Sequence, residues 1–337
     1  MVDAITQMTS NDSKVDRSRK LHRFAMLCAG ATFILIFIGG LVTSTGSALA
    51  VPDWPLAYGH LIPKLVGGVR FEYGHRVAAA TVVILTLILA LWTWRAEARS
   101  WVRKTAFAAV GLVVLQAVLG GITVLLLLPL PIAVAHAATA QAFFCLMVAL
   151  AIFTNPEFGV GPNVRTDYRH PRLASLAAVS TGIIYVQILI GAVMRHLGAG
   201  LAIPDFPLAF GRLIPPFLGL GVSVNFAHRC GALVVTFFIL WTVIRVLRFH
   251  RGEPRLWHPA VLLLLLLITQ ISLGALTIWS GRAVLPTTAH VAVGAAVLAT
   301  SLTLAIRSRA IGGLASANEA ARVRTPFPDA MGRKVTA

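Results

Sequence analysis

A chain of 337 residues that is 57% hydrophobic and only 12% charged, with a mean hydropathy of +0.82, carries too little polar surface to cover a soluble domain of its size. Its net charge of +17 would suggest a nucleic-acid partner in a soluble protein. Here the basic residues lie in tails and connections between apolar segments, which is the pattern of membrane topology. Composition therefore excludes a soluble nucleic-acid binder and selects a polytopic membrane protein.

Residues 1–23 form a polar, basic tail with Lys14, Arg17, Arg19, Lys20 and Arg23. The apolar run that follows is too long for the core of a signal peptide and reads as a retained membrane helix. A spanning helix needs about 20 apolar residues, and eight stretches qualify: 24–44, 71–93, 105–128, 131–153, 173–195, 222–244, 259–279 and 287–306. Pro129-Leu130-Pro131 leaves room only for a tight hairpin between the third and fourth. The N-tail, 94–104, 154–172, 245–258 and the C-tail together hold 22 of the 29 Lys and Arg residues. The rest are Lys64, Arg70, Arg76, Arg195, Arg212, Arg229 and Arg282. The positive-inside rule places the first set, with both termini, in the cytoplasm. Cys28, Cys145 and Cys230 all fall within apolar segments, so neither a disulfide nor a cysteine metal site is expected.

The chain repeats itself. Leu49-Ala-Val-Pro-Asp-Trp-Pro-Leu-Ala-Tyr-Gly-His-Leu-Ile-Pro63 returns as Leu201-Ala-Ile-Pro-Asp-Phe-Pro-Leu-Ala-Phe-Gly-Arg-Leu-Ile-Pro215. Glu72-Tyr-Gly-His-Arg76 returns as Asn225-Phe-Ala-His-Arg229, Gln116 with Leu119-Gly120 as Gln270 with Leu273-Gly274, and His136 as His290. The expected fold is all-α: two homologous four-helix units of parallel orientation, 24–153 and 173–307. A cytoplasmic linker, 154–172, joins them, and a disordered tail, 308–337, ends the chain. Asp53 and Asp205 occupy equivalent turns in the Gly- and Pro-rich outer loops. Trp54, Tyr58, Phe206 and Phe210 suit the membrane interface there.

His75, His136, His228 and His290 each lie near the outer start of an even-numbered span. One intramembrane histidine commonly does no more than bond across a helix interface. Four at equivalent repeat positions and equal depth point to a shared task. Zinc fits poorly, because no cysteine or carboxylate completes a tetrahedral set around either pair. A large planar ligand needs donors on opposite faces from different helices, and bis-histidine heme in a four-helix bundle meets that need. Two pairs imply two heme sites. Glu72 is the only acid within the eight spans and shares a helical face with His75. Its counterpart is Asn225, so the site with the carboxylate is the candidate for chemistry. An ion pair with Arg76 is the plainer role for Glu72. Arg76 and Arg229 each follow a ligand histidine and could bind heme propionates, shape the site, or extend to the interface.

These motifs resemble the heme A synthases, membrane enzymes that convert heme O to heme A for cytochrome oxidase. The resemblance runs from residue 24 to 307. It is carried by Glu72-x-x-His75-Arg76, Leu119-Gly-Gly-Ile-Thr-Val124, Pro131, Val134-x-His136, Asp53-Trp-Pro-Leu56, His228-Arg229 and Pro286-x-x-x-His290. It implies two four-helix bundles related by pseudo-twofold symmetry. Substrate heme O would sit near His75 and His136, heme b on His228 and His290, and the essential carboxylate would be Glu72. It also implies oxidation of one porphyrin methyl group to an aldehyde with oxygen from water, Glu72 stabilising a carbocation-like species. The location implied is the plasma membrane, both heme sites towards the extracytoplasmic side. Heme O synthase and cytochrome oxidase assembly factors would be partners beside membrane lipid. A homo-oligomer is compatible with this reading, and a nucleic acid is not. Many members carry a cysteine pair in the first outer loop. The aligned positions here are Ala50 and Ala57, which excludes a redox role for a disulfide there. A diheme b-type cytochrome that only transfers electrons needs the same histidines but not Glu72. A repeat-built transporter is disfavoured by the absence of mid-membrane charges.

Overall fold

A computed structural model describes residues 2–158 and 170–324, with side chains described for 16–158 and 170–311. The described residues form eight α-helices: α1 (Val2–Ser44), α2 (Val69–Ala96), α3 (Ser100–Leu125), α4 (Leu130–Phe153), α5 (Leu173–His196), α6 (Leu220–Phe249), α7 (Pro254–Trp279) and α8 (Val284–Arg324). All eight contain a stretch long and apolar enough to cross a membrane. Among the described residues no strand forms. Two isolated bridges close equivalent loop turns, Ala57 with His60 and Ala209 with Arg212.

Two helices outrun the sequence expectation. α1 continues back through the polar N-tail, which contains neither Gly nor Pro to stop it. α8 continues to Arg324, so the backbone of 308–324 is helical where an irregular tail was expected. Residues 159–169 of the linker and 325–337 of the tail lie outside the described residues.

Hydroxyl groups inside the spans bond to the backbone carbonyl four residues earlier, as Thr32 does to Cys28, Thr86 to Val82 and Ser180 to Leu176. Each such bond hides a polar group from lipid without needing a partner helix.

Helices α1–α4 pack around one apolar core and α5–α8 around another. The first contains Cys28, Leu89, Val102, Met147 and Leu150, and the second Ile184, Ile239, Val243, Leu263 and Leu298. The two groups of four meet where α1 and α4 face α5 and α8. Tyr185 Oη donates across that seam to the Ala138 carbonyl at 2.9 Å.

The two long connections fold alike. Asp53 accepts from the Tyr58 and Gly59 amides at 2.6 and 2.8 Å, and Asp205 from those of Phe210 and Gly211 at 2.7 and 2.8 Å. These bonds fix the left-handed backbone at Tyr58 and Phe210 (φ 54° and 55°).

Candidate functional site

The structure brings the four histidines together in two pairs. Each lies in the second or third turn of its helix: His75 on α2, His136 on α4, His228 on α6 and His290 on α8. His75 and His136 hold equivalent positions on α2 and α4. The rings of His228 and His290 have centroids 6.5 Å apart. Two metal–imidazole bonds of about 2 Å, with about 1 Å from each nitrogen to its ring centre, span roughly 6 Å. One iron therefore fits between the rings of the second pair. Among the described residues no group of three His, Cys, Asp or Glu side chains could hold a bare metal ion.

The odd helices seat these rings. Each imidazole lays its Cε1 edge against a glycine: His75 on Gly39 of α1, His136 on Gly120 of α3, His228 on Gly191 of α5, His290 on Gly274 of α7. A methyl group on those glycines would stand 3.1, 3.0, 2.9 and 3.2 Å from Cε1 respectively. The glycines are needed for close approach. Gly121, next to Gly120, receives the indole of Trp54, whose Cδ2 would lie 2.6 Å from an added Cβ. Trp54 thereby folds the first outer loop over the His136 helix pair, where the sequence suggested only an interfacial aromatic.

The pairs differ in what holds the other ring nitrogen. His228 Nδ1 lies 3.0 Å from the Gln187 amide nitrogen, which also donates to the His228 carbonyl at 2.7 Å. His290 Nδ1 donates to the Gln270 carbonyl at 3.1 Å. In the first pair His75 Nδ1 has no partner, and His136 Nδ1 faces the Gln116 carbonyl without reaching hydrogen-bond geometry. The counterpart of Gln187 is Leu35, which cannot bond. The Gln116 amide oxygen accepts from Thr139 Oγ1, turning its nitrogen towards His136 Nε2 at 3.4 Å. Val293 stands where Thr139 would in the second half, and Gln270 faces His290 Nε2 at 3.3 Å with its oxygen unpartnered.

Glu72 is buried, 4% exposed, and both its oxygens are engaged. Oε2 accepts from the Val51 amide at 2.8 Å and Oε1 from Arg76 at 2.7 Å. Arg76 also donates to the carbonyls of Asp53, Leu56 and Val51. Arg229 repeats the clamp with the carbonyls of Leu208 and Ile203 and with Asn225 Oδ1. Of the roles left open for these arginines, the geometry supports shaping the site by fastening outer loop to helix. Five of their seven hydrogen bonds go to loop carbonyls.

Gly39, Gly191 and Gln187 are not among the residues the sequence singles out, and Gly120 and Gly274 stand there only as repeat residues. The repeat carried a signal for the glycines: Ile38-Gly39 returns as Ile190-Gly191, and Gly120 as Gly274. Gln187 has no copy in the first half and gave none.

A multi-pass helical membrane protein with two internal bis-histidine pockets is the class that fold and site define. The chain matches the profile of the COX15-CtaA family, described as cytochrome oxidase assembly protein, over residues 22–68 and 71–302. It is 30% identical over 310 residues to a protein of Geobacillus kaustophilus named heme A synthase, covering 86% of this chain and 93% of that one. A protein of the same name from Symbiobacterium thermophilum is 30% identical over 275 residues (77% and 85%). One from Halalkalibacterium halodurans is 30% identical over 278 residues (78% and 89%). The chain belongs to the COX15-CtaA family.

Proposed function

We propose that this protein catalyses heme A synthesis, oxidising a methyl group of heme O to a formyl group and so supplying heme A to cytochrome c oxidase. The observation that carries this reading is the duplicated histidine pair, each ring seated on a glycine, in a chain of this family. Heme O is the substrate and lies between His75 and His136. Heme b is the resident cofactor between His228 and His290, where it supplies one-electron redox chemistry.

The hydrogen bonds support this division of labour. A histidine that ligates a metal through Nε2 carries its proton on Nδ1, and an acceptor there orients the ring and strengthens the bond. His290 has such an acceptor in the Gln270 carbonyl. At His228 the Gln187 amide nitrogen sits between Nδ1 and the His228 carbonyl, so it fastens the ring to α5 without supplying an acceptor. Among the described residues His75 Nδ1 has no such partner, which suits a site whose occupant must enter as substrate and leave as product.

Glu72 is the catalytic carboxylate. It is held beside the first pair by Val51 and Arg76 and is absent from the second. The two units, 24–153 and 173–307, are related by pseudo-twofold symmetry and lie in the plasma membrane with both termini cytoplasmic. The excess of Lys and Arg in the tails and even-to-odd connections supports that orientation. Both heme sites then face the extracytoplasmic side.

Expression in a cell that makes heme O but not heme A tests the reading. Extracted pigment should contain heme A, beside heme B from the second site. Heme B alone in both sites would identify an electron-transfer cytochrome instead.

A further inference from the structure

Arg195, in the last turn of α5, uses two of its five N–H donors, fewer than the four of Arg76 and the three of Arg229. Its Nη2 donates to the Gly40 carbonyl at 2.9 Å and to Ser44 Oγ at 2.8 Å. Ser44 Oγ in turn accepts from Thr288 Oγ1 at 2.9 Å. Nε and Nη1 make no hydrogen bond, and no carboxylate lies within ion-pair distance, among the described residues.

These contacts fix where the guanidinium sits. Gly40 packs against Thr288 and Val291, which flank His290, so Arg195 lies at the junction of α1, α5 and α8 within a turn of that ring. The Arg282 side chain runs over Gly200, 3.5 Å from where a Cβ would stand, and its guanidinium has no hydrogen bond or ion pair among the described residues. Arg195 is half-buried and Arg282 exposed, and a partly buried guanidinium with unused donors is stabilised by an anion. The counterpart of Arg195 is Thr43, whose hydroxyl bonds back to the Gly39 carbonyl at 3.2 Å. The arrangement therefore belongs to the second half alone.

We propose that Arg195 and Arg282 form a carboxylate site that binds the propionates of the heme between His228 and His290. This rests on reading that pair as a heme site. A guanidinium is the side chain suited to a planar carboxylate, and two of them match a group that carries two. The site gives the resident heme a charged anchor that the first pocket lacks.

The test is a Soret titration of the full-length apoprotein, purified in detergent from heme-limited cells. A His75→Ala background confines heme to the second pair. The ligands are heme b and its dimethyl ester, which keeps the iron and ring but has no charged carboxylate. The parent should bind heme b more tightly than the ester. Arg195→Met with Arg282→Met should weaken heme b binding about tenfold or more while leaving the ester unchanged. Ser44→Ala, which removes a partner of Arg195 but not the charge, should keep the preference. Equal weakening of both ligands, or no change in either, overturns the proposal. Failure of the parent to bind either ligand overturns the heme reading instead.

Discussion

The imidazole of His228 rests edge-on against the backbone of Gly191, with 2.9 Å between Cε1 and the place a methyl group would occupy. A free ring could tilt aside by a few tenths of an ångström. A ring fixed on one side by Gln187 and on the other by iron has nowhere to go.

Gly191→Ala should therefore spare the fold and damage the site. Alanine favours a helix over glycine by about 1 kcal/mol, so yield and helical content should hold. Heme b per protein and the intensity of its reduced α-band should drop several-fold. A variant with full heme content and an unshifted spectrum would show that the seat is not needed.

Much of the architecture was legible because membrane spans and repeats are written in composition and spacing. The eight spans follow from apolar length, and the pairing of His75 with His136 and His228 with His290 from the 152–154-residue offset. The role of Arg76 was left open because a propionate and a loop carbonyl ask for the same guanidinium. The folded loop, which brings Val51, Asp53 and Leu56 back to α2, supports the carbonyls. Gln187 was silent for a related reason. It acts through a residue 41 positions away, and its neighbour Gly231 leaves the space its amide fills. Leu35 and Ala78 stand at the matching positions of the first half, where the repeat hides rather than reveals the difference.

Gln187→Leu gives the second pocket the side chain that the first one has. Loss of an outer partner to a metal-bound histidine typically weakens the site about 10–100-fold. The rate at which apomyoglobin strips heme b from the purified variant should rise by about that factor. Gln187→Glu, which can accept from Nδ1–H, should restore retention and lower the midpoint potential. A Gln187→Leu variant that keeps its heme as the parent does would remove the brace from the argument.

The outer-loop turn should be sensitive to acid. The Gly59 and Tyr58 amides hold the Asp53 carboxyl below its ordinary range. A lowered folded value means that the ionised form stabilises the loop. That contribution is complete above the unfolded carboxylate value of about 3.9 and is lost as pH falls through the folded one. Fluorescence of Trp54 should therefore be constant from neutral pH down to about 5 and shift below about 4. Asp53→Asn should show the shifted signal at all pH values. A pH-independent signal in the parent would place the turn's stability elsewhere.

Glu72→Gln separates the two pockets. Glutamine keeps an oxygen for the Val51 amide but loses the charge that pairs with Arg76, so the first site is altered and the second, built on Asn225, is not. A positioned acid or base usually contributes about 10²–10⁴-fold to a rate. Heme A formed in cells carrying only this variant should fall to a level near the lower end of detection. The heme b spectrum of the same protein should be unchanged, which shows that it has folded and loaded its cofactor. Normal heme A content would reduce Glu72 to a loop clamp like Asn225. Loss of heme b as well would mean that the clamp, not the chemistry, is what Glu72 provides.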